Sequence, residues 1–327
     1  MNAKRTALQL LGLLCLSGTA ACTMPPASAD EATGFNGVAT AQTALTGQIG
    51  SPAGTGRWSG IAQALPQAPG YTFYRPHILP DQPLPVVLWG NGGCRDNGLS
   101  ASHFLREIAS HGYLVIANGR PAKELPTSGT LPSMRMDMRS QPDKPQPDET
   151  SAAGLLAGID VAHALNTDPE NALYGHVDTD RVAVMGHSCG GLQALQAGAD
   201  PRIGTVMAFG SGVYNRPGSG RSGVKIDKQD LLKLHTPVAY VLGGPSDIAW
   251  PNGTDDYRRI EHVPVVLGSM PVGHGGTFMM ENGGAWAAFA VEWLAWQLKG
   301  NQQAAAAFLA EDCRFCTGDW TTETKGW

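Results

Sequence analysis

The chain has 327 residues, 42% of them hydrophobic and 16% charged, and a formal net charge of −5. This is the balance of a globular protein long enough to bury one large core or two smaller ones. The negative charge and the lack of any basic run argue against nucleic acid as a partner.

The N-terminus carries Lys4 and Arg5, then a mostly apolar run over residues 7–16 interrupted by Gln9, then small residues. That is the three-part layout of a secretory signal, with an apolar run too short for a permanent membrane helix. Two processing sites follow it. Gly18-Thr19-Ala20-Ala21-Cys22 is similar to a bacterial lipobox, which would make Cys22 the lipidated first mature residue; Ala27-Ser28-Ala29 fits ordinary A-x-A cleavage. The distance of Cys22 from the apolar run favours the lipobox. Both readings export the mature protein: the lipobox places it in the periplasm or outer envelope with membrane attachment through Cys22, and A-x-A cleavage would leave it secreted. Residues 23–66 are rich in Ala, Gly, Ser, Thr and Pro, and read as a flexible tether and irregular segment ahead of a domain over 67–327.

Within that domain residues 71–75 predict a first strand, ended by Pro76. Residues 85–89 predict a buried strand, 100–110 an amphipathic helix and 113–118 another strand, which together make a parallel βαβ unit. Residues 120–147 form a proline-rich insertion too long for an ordinary connection, with Met134, Met136 and Met138 beside Arg135 and Arg139. This insertion is expected to wall or cover a pocket. Helical spacing returns over 149–166. Residues 182–185 then form a short β-rich run, followed by Gly186-His187-Ser188-Cys189-Gly190 and a helix-compatible stretch over 192–198. Further strands are expected at 203–209, 237–242 and 263–267, and helices at 285–298 and 302–310. Trp286, Phe289, Trp293 and Trp296 recur at helical intervals and read as core. The alternation predicts an α/β fold: one doubly wound, mostly parallel sheet with helices on both faces and functional loops at the carboxyl ends of the strands.

The strand, the G-x-S-x-G turn and the helix form the pattern of a nucleophile elbow, in which strained dihedrals at the serine need small neighbours. A serine hydroxyl needs a base to take its proton, a carboxylate to hold that base, and N–H donors for the oxyanion. Asp247 lies just past a strand and His274 lies in Val272-Gly273-His274-Gly275-Gly276 after the next, so acid and base follow Ser188 in that order. Asp255 and Asp256 rival Asp247. Of the nine histidines, His262 reads as a turn residue, His103 and His111 belong to a surface helix, and His187 is expected to line the pocket. The oxyanion donors are expected to be the backbone N–H of Cys189 and one from Gly90-Asn91-Gly92-Gly93-Cys94, Asn91 being preferred to Gly92. Tyr214 and Trp250, on loops after strands, are candidates for the pocket wall.

Residues 85–93, 108–117, 180–191 and 290–298 resemble the corresponding parts of the dienelactone-hydrolase-like α/β-hydrolases, a group that holds chlorophyllases, platelet-activating-factor acetylhydrolases and cutinase-like polyester hydrolases. The resemblance covers most of residues 67–320. It implies an α/β-hydrolase fold and esterase chemistry on a small-molecule or polymeric ester, with no cofactor and no metal. It puts the nucleophile on Ser188, the acid on Asp247, the base on His274 and the oxyanion donors on Asn91 and Cys189. The polyester hydrolases usually carry an apolar residue after the serine and an aromatic one in the oxyanion loop. This chain has Cys189 and Asn91 there, which argues against a polyester substrate.

An exported protein meets an oxidising compartment. Beyond the signal lie Cys94, Cys189, Cys313 and Cys316, which allow three pairings. If the oxyanion assignments hold, Cys94 and Cys189 converge on one hole and are expected to pair, leaving Cys313 and Cys316 to close locally rather than to form a redox or metal site. The same residues leave open an exopeptidase or acyltransferase, or an envelope lipoprotein that keeps the fold as a binding module.

Overall fold

The computed structural model describes residues 46–122, 125–129, 147–216 and 222–327. Cys22, and Met134, Arg135, Met136, Met138 and Arg139 of the insertion, lie outside the described residues.

A 10-stranded sheet runs through the domain. Its strands are β1 (Gln48–Ala53), β2 (Gly60–Gln63), β3 (Tyr71–Pro76), β4 (Leu84–Gly90), β5 (Leu114–Asn118), β6 (Val177–His187), β7 (Ile203–Phe209), β8 (Val238–Leu242), β9 (Val265–Ser269) and β10 (Thr321–Lys325). The spatial order is β1-β2-β3-β5-β4-β6-β7-β8-β9-β10. From β5 to β9 every neighbouring pair is parallel. The strands at both edges join antiparallel. The expected mostly parallel α/β class is what the chain adopts.

The helices are α1 (Ser102–Ser110), α2 (Ala152–Thr167), α3 (Cys189–Ala197), α4 (Trp250–Arg259), α5 (Gly284–Lys299) and α6 (Gln302–Leu309). The strand period of two sorts the side chains between two cores. Leu84, Val86 and Leu88 of β4 with Val182 and Val184 of β6 face the core shared with α2 and α3. Val87, Trp89, Ala183 and Met185 face the core shared with α1, α5 and α6. Both faces are therefore covered, which is why the central strands read as continuous apolar runs. The aromatic residues of α5 fill the second core: Trp286, Phe289 and Trp293 are fully buried.

The chain departs from expectation at the β1–β2 edge of the sheet and at α4. Residues 48–53 and 60–63 belong to the sheet, so it begins before residue 67 and this part of the tether is not irregular. Backbone pairing of β2 with β3 needs no large side chains, and the β1–β2 connection is tied to α1 by Thr55 N–H on Glu107 (2.7 Å) and Gly56 N–H on Ser110 Oγ (2.9 Å). Trp250 opens α4 instead of sitting in a loop. Pro251, Asn252 and Gly253 hide that helix, because each is a poor helix interior residue.

β4 lies between β5 and β6, so the chain leaves it first to one side and then to the other. This is a topological switch point, where a crevice opens beyond the carboxyl ends of the strands. The loops after β4 and β6 meet there.

Candidate active site

Ser188 follows the last residue of β6 and precedes α3 with φ +54° and ψ −118°, one of few non-glycine residues at positive φ among those described. Such a turn is strained for a residue with a Cβ and lifts the side chain out of the sheet. It also brings backbones into contact. A Cβ on Gly186 would stand 2.2 Å from Gly190 O, and one on Gly190 would stand 2.1 Å from Gly90 O. Glycine is required there because α3 crosses the ends of β4 and β6 with no room for a methyl group. Ser211, on the loop after β7, donates its Oγ–H to Ser188 O at 2.7 Å and steadies the turn.

Two loops deliver the groups around the serine. His274 Nε2 lies 2.9 Å from Ser188 Oγ, and His274 Nδ1 lies 2.7 Å from Asp247 Oδ1. A carboxylate only accepts, so Nδ1 carries the proton and Nε2 is free to accept from the serine. Asp247 is 2% exposed and takes further bonds from Gly243 N–H and Ala249 N–H, each 2.9 Å. Burial pushes its carboxyl up, but the His274 bond and charge with these two N–H groups outweigh that, and its pKa ends below the usual carboxylate value. The rivals are occupied elsewhere. Asp256 is bound by Lys228, Val213 N–H and Tyr240 OH, and Asp255 by Arg259 and Lys228. His262 bonds Leu234 O, His103 bonds Pro126 O and His111 pairs with Glu107.

Cys189 is the first residue of α3, so its N–H has no acceptor within the helix. The loop after β4 lies against the same helix end: the space above Gly190 is closed by Gly90 and by Asn91 N. Asn91 ties that loop to its surroundings through its side chain. Its fully buried side chain accepts from Trp89 Nε1 (3.1 Å) and donates to Asn118 O (2.9 Å) and Arg95 O (3.1 Å). Cys94 and Cys189 form a disulfide with Cα atoms 5.3 Å apart, which links the loop to the helix directly. Cys313 and Cys316 form the second disulfide. Asp148 lies beside the first, its Oδ1 3.9 Å from Cys189 Sγ, but both sulfurs are spent on each other and present no thiolate to a metal.

Further residues, not evident from sequence, brace this loop. Gln193 of α3 donates to Thr150 O at 2.8 Å and approaches Cys94 Sγ at 2.9 Å, while the N–H groups of Glu149 and Thr150 both reach Cys94 O. Ile248, next to Asp247, is 53% exposed. Only tertiary placement marks these residues, since nothing in their local sequence distinguishes them. Tyr214 and Trp250 are partly buried and pack against the core shared with α2 and α3. His187 is partly buried, with its Nε2 2.8 Å from the His274 carbonyl oxygen.

No family model matches the chain. Over 145 residues, 43% of its length, it is 30% identical to Hydrolase ffsE of Aspergillus flavipes. That stretch is 29% of the relative, so the chain spans less than a third of the length of the curated protein it matches.

Proposed function

We propose that this chain is a serine hydrolase of the α/β-hydrolase type acting on carboxylic esters through an acyl-enzyme. The observation that carries the reading is the continuous hydrogen-bonded line from Ser188 Oγ through His274 to Asp247, at 2.9 and 2.7 Å, on a serine held at positive φ. In this reading His274 Nε2 takes the Ser188 proton as Oγ attacks the acyl carbon, and Asp247 orients the ring and stabilises the imidazolium. The Cys189 N–H, at the start of α3, and an N–H of the 90–94 loop receive the oxyanion, where the helix dipole adds to the attraction. The likeness to Hydrolase ffsE supports hydrolysis as the reaction class.

Export belongs to the same proposal, supported by two disulfides in one domain. Lipid attachment at Cys22 is tested by incorporation of labelled fatty acid into the full chain and into Cys22→Ala.

The decisive trial is a panel of p-nitrophenyl and natural esters given to the wild type and to Ser188→Ala. Turnover in the wild type should fall by about 10³-fold or more in the variant. Equal turnover in the two would remove Ser188 from the reaction, and turnover confined to amide or acyl-transfer substrates would replace the ester reading.

A further inference from the structure

His187 stands between the serine and the loop that carries His274. Its Nε2 faces the His274 carbonyl oxygen at 2.8 Å, and a carbonyl only accepts, so that nitrogen carries the proton. Burial, and behind it the neighbouring His274, lowers the His187 pKa to about 4, so near neutral pH the ring has this one N–H. The other nitrogen faces the oxyanion loop: a Cβ on Gly92 would stand 2.8 Å from Nδ1. The ring packs edge-on against Phe278, with centroids 4.9 Å apart. Gly210, at φ +48°, leaves space beside it and beside the His274 carbonyl.

We propose that His187 is a positioning residue that keeps the His274 loop in register with Ser188 once the serine has been acylated; the proposal rests on the serine-hydrolase reading. In the free protein the His274 ring has two side-chain anchors, Asp247 on Nδ1 and Ser188 on Nε2. Acylation removes one of them. Ser188 Oγ bonds to the acyl carbon, its proton passes through Nε2 to the departing alkoxide, and no O–H remains to hold the ring. The loop itself is soft, with Gly273 at φ +71° and Gly276 at φ +57°. The contacts that persist include the Asp247 bond, the Gly273 N–H on Gly243 O at 2.8 Å, the Gly276 N–H on Gly273 O at 3.1 Å, and the His187 N–H on the carbonyl of His274 itself. In deacylation a water attacks the acyl carbon and gives its proton to Nε2, which returns it to Ser188 Oγ as the acyl C–O bond breaks. That step needs His274 in place without help from the serine hydroxyl. His187 should therefore matter more for deacylation than for acylation.

Pre-steady-state hydrolysis of p-nitrophenyl acetate by the wild type, His187→Gln, His187→Asn and His187→Leu tests this. Glutamine puts an amide N–H close to the Nε2 position, whereas asparagine puts one near Nδ1, short of the carbonyl. All should release a burst of about one equivalent of p-nitrophenol at rates within about threefold of each other. The steady-state rate should fall about tenfold in the Asn and Leu variants and stay within about threefold of wild type in the Gln variant. Asn and Gln variants with equal steady-state rates would overturn the proposal, as would a burst slowed as much as the steady state. If the Leu variant does not fold, the Gln and Asn pair carries the comparison. A wild type inert to the ester and to a fluorophosphonate removes the serine-hydrolase reading and this proposal with it; an active wild type with an indifferent Asn variant removes this proposal alone.

Discussion

Ser188 holds a conformation, φ +54° and ψ −118°, that costs a residue with a side chain on the order of 1–3 kcal/mol, and the surrounding glycines make it attainable. Gly190→Ala tests that directly. Its new methyl group would meet the Gly90 carbonyl at 2.1 Å, backbone against backbone, with no flexible side chain to yield. A loss of about 3 kcal/mol or more is expected in urea unfolding, and a variant as stable as wild type would mean that the two backbones can separate freely. His187 makes a second prediction. Its pKa is about 4 in the fold against about 6.5 unfolded, so the unfolded chain takes up the proton first as pH falls. Stability from this group is therefore lost as pH drops from about 6.5 towards 4. The full shift corresponds to about 3 kcal/mol, and partial exposure reduces it to about 2. His187→Gln should lack that part of the slope between pH 7 and 4.5, and identical slopes would contradict the buried neutral ring. That Ser188, Asp247 and His274 come together was legible because each falls in a glycine-bearing turn just past a strand. The partners of Asn91, Gln193 and Ser211 were not, since their bonds join residues distant in sequence.

The loop over residues 90–94 is held by more than its own turn. The disulfide joins it to α3, Gln193 reaches its sulfur, and two N–H groups from residues 149 and 150 bind its Cys94 carbonyl. The pairing expected from sequence is the one found, because the loops after adjacent strands β4 and β6 share the same crevice. Replacing both cysteines in Cys94→Ala/Cys189→Ala keeps every backbone N–H but frees the loop. Loop-closure entropy over 95 residues sets an upper loss of about 4 to 5 kcal/mol, while the core stays intact. The variant should remain folded by circular dichroism with kcat lowered about tenfold and KM little changed. A kcat equal to wild type would show that the loop is positioned without the link. Elements made by backbone pairing were the ones sequence concealed: β1 and β2 lie in an Ala/Gly-rich stretch, β10 is polar, and α4 opens with residues that disfavour helix. Elements with strong apolar periodicity, such as β4, β7 and α5, fell within a residue or two of expectation.

Across the molecule the sheet separates two cores, and the aromatic residues are concentrated in one of them. Trp89, Phe104, Phe209, Phe278 and Trp286 form edge-on and tilted pairs with centroids 5.0–6.1 Å apart beneath the His274 loop. Farther along the same face, Phe315 of the Cys313–Cys316 turn packs on Phe289 and Phe308, with centroids 4.9 and 5.3 Å away. That packing pins the C-terminal strand against β9. Phe315→Ala should cost about 3 kcal/mol of unfolding free energy, and under the proposed esterase function it should leave turnover per folded molecule near wild type. Loss of turnover without loss of stability would tie the C-terminal turn to the reaction instead. The doubly wound arrangement was readable from the strand–helix alternation, but the antiparallel edges were not, because an edge strand needs only one partner and a short polar run suffices. This architecture brings Ser188, His274 and Asp247 together, and fluorophosphonate labelling followed by peptide mapping tests their proposed role most directly. The wild type should take one label on Ser188, and both Ser188→Ala and His274→Ala should remain unlabelled under the same conditions. Labelling of Ser188→Ala to the same extent, or a label on any other residue of the wild type, would contradict it.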